Sequence, residues 1–156
     1  MAASNASQAA DRDRELVITR VFDAPPRVVF GAWTDPEQLA RWWGPRGFTT
    51  VFSAADVRPG GAWRRRIRSP EGTEHTGRGI YREIVAPERV VFTYAWESAE
   101  GTPGHETVVT VTFEDLGGRT RLTLHHALFE SETSRDAHRG GWASCLDRFA
   151  DCLAAA

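Results

Sequence analysis

Residues 132–153 carry the feature that restricts the fold most. His138, Trp142, Cys145, Leu146, Phe149, Cys152 and Leu153 recur at three- and four-residue spacing, which puts them on one stripe of an amphipathic helix. Ser131 stands where such a helix needs an N-cap. At 1.5 Å per residue, about twenty residues span roughly 30 Å, enough to cross a whole sheet. A helix with one apolar stripe must bury it against another layer. Gly140-Gly141 interrupts the helix at a cost of roughly 1 kcal/mol per glycine relative to alanine. A close approach of sheet or ligand to the helix backbone would account for that cost.

The chain upstream supplies the sheet. Glu15 to Asp23 reads as a strand, broken by Ala24-Pro25-Pro26. Pro26 suits the first turn of a short helix, and Asp35-Pro36 caps and restarts a second one that Gly44-Pro45 ends. Six further strands follow: Thr49 to Val57, Ala62 to Ser69, Glu74 to Val85, Arg89 to Glu97, Glu106 to Glu114 and Arg119 to Phe129. Glycine- and proline-containing turns separate them. Val90, Phe92, Tyr94 and Trp96 share one face of their strand, as do Val109, Val111 and Phe113 on theirs, and Leu122, Leu124 and His126 on the last. One apolar and one polar face predict a sheet solvated on one side. The fold class is α+β, an antiparallel sheet of about seven strands under one long helix. Residues 1–13 are small and polar and read as a disordered tail, leaving 14–156 as a single domain.

Composition narrows the function. The net charge of -2 gives no general attraction to nucleic acid or to an anionic membrane. All 19 basic residues are arginine, a bias best explained by a GC-rich genome. Cys145 and Cys152 lie two helical turns apart, about 10 Å, too far for a disulfide. With no signal peptide and no membrane-length apolar run, a cytoplasmic protein with free thiols is expected. No metal-ligand spacing, paired-cysteine motif, nucleophile elbow or phosphate loop is present, so neither metal nor cofactor is implied. The Arg64, Arg66 and Arg68 row lacks interleaved aromatics and reads as a solvated strand face.

The residues that suggest binding are aromatic. Six tryptophans are large, rigid groups that fill cores and line pockets alike. Trp42, Trp63, Phe92, Tyr94 and Trp142 are the expected apolar lining, with Trp33, Trp43 and Trp96 in the same set. Arg65 shares the inner face of Trp63 and Ile67 by strand alternation. A guanidinium there needs a polar or anionic partner, on a ligand or internally at Glu83 or Asp56, unless its stem snorkels out through the cavity mouth. His125 and His126 point to opposite faces, so they do not hold a metal jointly. His126 and His138 are either satisfied core histidines or a polar pair facing a ligand. Tyr81 is a further acid-base candidate.

Arg20-Val21-Phe22-Asp23-Ala24-Pro25, Ala32-Trp33-Thr34-Asp35-Pro36, Trp42-Trp43-Gly44-Pro45 and Arg58-Pro59-Gly60-Gly61 occur in that order. Gly79-Ile80-Tyr81-Arg82-Glu83-Ile84, Pro87-Glu88-Arg89-Val90-Val91-Phe92-Thr93-Tyr94 and His138 with Gly141-Trp142 then follow. Together, over about residues 14 to 154, they resemble the activator of Hsp90 ATPase homologue family of the START/Bet v 1-like (SRPBCC) superfamily. The resemblance implies a helix-grip fold enclosing a cavity between sheet and long helix, and superfamily members bind lipids, sterols, polyketides and other hydrophobic molecules. The first expectation is therefore binding of a small hydrophobic, aromatic or acidic ligand at Trp42, Trp63, Arg65, Tyr81, Phe92, Tyr94, His126, His138 and Trp142. The second is a polyketide cyclase- or aromatase-like enzyme using the same cavity. The third is an Hsp90 cofactor, ranked last because only a short tail precedes the domain. An open sheet face would also admit a homodimer, though no feature demands one.

Overall fold

The computed structural model describes residues 12–155. The expected tail lies outside the described residues except for Arg12 and Asp13, which are helical. Strand β1 is Leu16–Phe22, and helices α1 (Pro26–Thr34) and α2 (Pro36–Trp42) follow it. Strands β2 (Thr49–Ala55), β3 (Ala62–Arg68), β4 (Glu74–Val85), β5 (Arg89–Trp96), β6 (Thr107–Asp115) and β7 (Thr120–Ala127) then lead to helix α3 (Glu132–Ala155). The strands form one antiparallel sheet in the order β1-β7-β6-β5-β4-β3-β2. The sheet grips α3, giving the α+β helix-grip architecture.

Local chemistry sets these boundaries. Pro26 occupies the first turn of α1, where its missing N–H is not needed. Asp35 ends one helix and starts the next. Its N–H donates to Gly31 O, while its carboxylate accepts the Glu37 N–H at 3.0 Å. At α3 the Ser131 hydroxyl accepts the Ser134 N–H at 3.1 Å, the expected cap. The helix then buries Trp142, Cys145, Leu146 and Phe149, four positions on one stripe.

Two expectations change. The outer face of β5 is not solvated, because Val91, Thr93 and Ala95 are buried along with the inward Val90, Phe92 and Tyr94. Pro103 and Glu106, from the connection to β6, stand with Thr93 and Ala95 around an outer trough. Arg64 also bridges this face, donating twice to the Glu97 carboxylate at 2.6 and 2.9 Å. That pairing holds Glu97 below the usual carboxylate range.

The second change concerns Gly140-Gly141. A Cβ at Gly140 would meet nothing within 4 Å, and one at Gly141 would meet only Pro45 Cγ at 3.9 Å. No close approach of the sheet to the helix backbone requires either glycine. Gly79 is the opposite case, since a Cβ there would lie 1.8 Å from Thr93 O and 2.6 Å from Trp63 Nε1. Trp63 donates its indole N–H to that same Thr93 carbonyl at 3.1 Å, so the space above Gly79 is filled by backbone and an indole. Gly140→Ala should therefore stabilise the fold by up to about 1 kcal/mol. Gly79→Ala should cost roughly 3 kcal/mol or more. Urea denaturation of the two variants checks both signs, and a neutral Gly79→Ala would contradict the packing described.

Candidate functional site

Three parts of the chain meet around the middle of α3 and leave space between them. The first is the connection from α2 to β2, which turns at Gly44 with φ +94°, a backbone conformation that favours glycine. Arg148 on α3 fastens this connection by donating to Trp43 O at 3.0 Å and Phe48 O at 3.1 Å. The Ser144 hydroxyl accepts the Arg46 N–H at 2.9 Å, and Arg46 pairs with Asp151 at 2.6 Å. The second part is the inner face of β3, β4 and β5. The third is the stretch of α3 from Ala137 to Cys145.

The space they leave is a cavity of about 400 Å³, open to solvent on one side. Trp43, Gly44, Pro45 and Phe48 line it from the connection, and Ile67, His75, Tyr94 and Trp96 from the sheet. Ala137, His138, Gly141, Trp142 and Cys145 line it from α3. Its volume falls in the range of small-molecule sites, and the lining is mostly apolar. Gly141 faces the space, so its missing side chain is part of the cavity volume.

Of the residues expected to bind, Tyr94, His138 and Trp142 line this cavity. Trp42 is fully buried and donates its indole N–H to Ala32 O at 3.1 Å. Trp63, Phe92, Tyr81 and Arg65 form a packed layer further along β3 to β5, and His126 lies beneath Trp142. The lining residues not singled out for binding include Phe48, His75 and Gly141. His75 carries no signal beyond its type, whereas Gly141 stands out in the sequence as a glycine inside the long helix, where close approach of sheet or ligand is expected.

The two inner histidines are held neutral by their partners. His126 Nδ1 accepts the Trp142 indole N–H at 3.0 Å, which leaves Nε2–H to donate to Thr107 Oγ1 at 2.6 Å. Thr107 in turn donates to Tyr94 O at 2.9 Å. His138 Nε2 accepts the Trp96 indole N–H at 2.9 Å, and its Nδ1–H donates to Ser134 O at 3.0 Å. All four ring nitrogens are thus engaged. Burial, with smaller contributions from His138 and His125, pulls His126 down to about 2. Burial also lowers His138, against an opposing effect of the Ser134 carbonyl. Cys145 donates toward Trp42 O at 3.5 Å, and burial pushes its thiol up to about 12. Burial likewise raises the Tyr94 phenol, a rise that Cys145 reinforces and Arg65 opposes less strongly.

Arg65 is only 2% exposed. Its Cζ lies 4.6 Å from the Trp43 ring centroid and 4.9 Å from that of Trp63. The expected internal carboxylates are engaged elsewhere, Asp56 with Arg58 and Glu83 with Arg89. Among the described residues, no set of three or more ligating side chains could hold a metal ion, and no helix is long and apolar enough to cross a membrane.

His126 gives the site a pH signature. The unfolded chain protonates this ring near 6.5, while the folded chain does so only near 2. Between those values the unfolded state binds more protons, so stability present above 6.5 is lost as pH falls, by about 1.4 kcal/mol per pH unit from this ring. His126→Asn should lower stability at pH 7.5 but flatten the decline towards pH 4.5. Urea midpoints across that range check it, and parallel declines for both proteins would contradict a neutral buried His126.

The model of the activator of Hsp90 ATPase homolog 1-like protein family matches residues 23–154 of the chain. A crystal structure of the AHSA1 protein from Silicibacter pomeroyi superposes with a TM-score of 0.83 at 29% identity, covering 90% of this chain and 97% of that one. A solution structure of a protein from Arthrobacter aurescens gives 0.83 at 29% identity, covering 93% and 88%. A protein from Chromobacterium violaceum gives 0.80 at 27% identity, covering 88% and 95%. Comparison with the curated proteins finds no match.

Proposed function

The chain belongs to the activator of Hsp90 ATPase homologue 1-like family, whose fold commonly holds hydrophobic molecules, and on that premise we propose that it binds a small, ring-bearing hydrophobic ligand between α3 and the sheet. The observation that carries this reading is the cavity of about 400 Å³ with Trp43, Trp96, Trp142 and Tyr94 in its wall. Flat aromatic walls favour a flat apolar guest, which stacks on them with little loss of side-chain freedom. Both ring nitrogens of His126 and of His138 are engaged with the protein. That arrangement supports holding a ligand over acid-base turnover, since a catalytic base needs a free lone pair within reach of its substrate.

Three tryptophans in the wall make binding visible. Titration with 2-naphthalenemethanol should quench tryptophan emission and saturate. Gly141→Leu fills the cavity and should weaken binding by about tenfold or more, equivalent to about 1.4 kcal/mol or more. Gly140→Leu, one residue away and facing open space, should leave the affinity unchanged. Equal effects of the two substitutions, or no saturable quenching by apolar ring compounds, would refute the assignment.

A further inference from the structure

Behind the cavity wall, on β2 and β3, lie buried polar groups that the protein does not satisfy. Ser53 on β2 is the cross-strand partner of Arg65, and Thr50 is the partner of Ile67. Directly paired residues on neighbouring strands project to the same side of a sheet, and Ile67 lines the cavity. The Ser53 and Thr50 hydroxyls and the Arg65 Nε–H are buried without a hydrogen-bond partner among the described residues. The guanidinium makes one long bond, from Nη2 to the Tyr81 hydroxyl at 3.4 Å. No carboxylate among the described residues lies within ion-pair distance of it.

Arginine does not shed its charge in a protein interior. A buried guanidinium is therefore an obligate cation, and Trp43 and Trp63 stack on it without filling its in-plane donor sites. Carboxylate and phosphate both match such a fork, and carboxylate, with the smaller charge to desolvate, is the one that suits a group this buried. Trp43 both stacks on Arg65 and lines the cavity, so its indole stands between the charge and the cavity. Trp43 sits immediately before the turn at Gly44.

We propose that Arg65, Ser53 and Thr50 form an anion subsite that receives the carboxylate of the cavity ligand when the Trp43 ring yields, making the natural ligand class hydrophobic carboxylic acids. This rests on the cavity being the ligand site, and it adds the chemistry of the head group. Ring and chain occupy the wall of Trp96, Trp142 and Tyr94, and the acid end points towards β2 and β3.

A matched pair of probes separates the two claims. 2-Naphthoic acid and 2-naphthalenemethanol share the ring and differ in charge, and calorimetric titration at pH 7.5 gives both affinities. The acid should bind wild type at least about tenfold more tightly, the scale of one charge-assisted hydrogen bond. Arg65→Met should remove that preference and leave the alcohol affinity within about threefold, while Ser53→Ala weakens the acid alone. Removing a buried unpaired charge should leave the thermal midpoint of the free protein unchanged or raised. Equal affinities of wild type for acid and alcohol overturn the subsite and leave the cavity reading intact. So does an Arg65→Met variant that weakens both probes alike. Binding of neither probe overturns both. The wild-type comparison decides the matter even if a variant fails to fold.

Discussion

Phe149 is the point at which the elements of this fold come together. Its ring meets Phe22 of β1 edge-on at 5.0 Å, Trp42 of α2 at 4.7 Å and Trp33 of α1 at 6.1 Å. One buried side chain on α3 thus touches the first strand and both short helices. Two turns earlier Trp142 repeats the arrangement, with Trp33 at 6.1 Å, Trp43 at 5.5 Å and His126 at 6.2 Å. Aromatic pairs at these separations add to the burial of large apolar surfaces. The helix is therefore fixed from Trp142 to Phe149, and the Trp96 indole donating to His138 at 2.9 Å ties the sheet to it one turn before Trp142. The cavity lies beside this stretch, roofed by the connection that Arg148 holds.

The elements were legible because their signals are local. Alternation, Asp35 ahead of a proline, Ser131 ahead of the long helix and glycine turns each act over a few residues, and every predicted element lies close to its observed bounds. The site was less legible because it depends on which of several inward aromatics sits beside empty space. Trp42 and Trp43 are adjacent, yet one hydrogen-bonds within the helical layer and the other, past the end of α2, turns into the cavity. His126 has the inward parity expected of it, but depth along the helix decides its role. It lies under Trp142 and is closed off by Thr107. Phe48 lines the cavity from a connection whose carbonyl Arg148 holds at 3.1 Å, a long-range contact with no trace in the local pattern.

The glycine pair separates the two causes expected of it. Gly140-Gly141 is expected to mark close approach of sheet or ligand, since a helix tolerates the entropic cost of glycine only for some return. The sheet is the cause at neither position. At Gly141 a side chain would project beside Pro45 into the cavity, so the glycine leaves volume there. Gly140 has no packing account in the structure.

The titratable groups of the interior divide by whether they can give up charge. His126, His138, Cys145 and Tyr94 are all shifted towards their neutral forms by burial, and the histidines complete this by pairing every ring nitrogen. Each is thereby compatible with an apolar guest. Arg65 has no neutral form to adopt, and the strand pairing sets beside it two hydroxyls that the protein leaves unused. A core selected only for stability would place an apolar side chain there, as replacement of buried charges by well-packed hydrophobes is commonly neutral or favourable. The retained cation, one indole away from the cavity, is what the proposed anion subsite rests on.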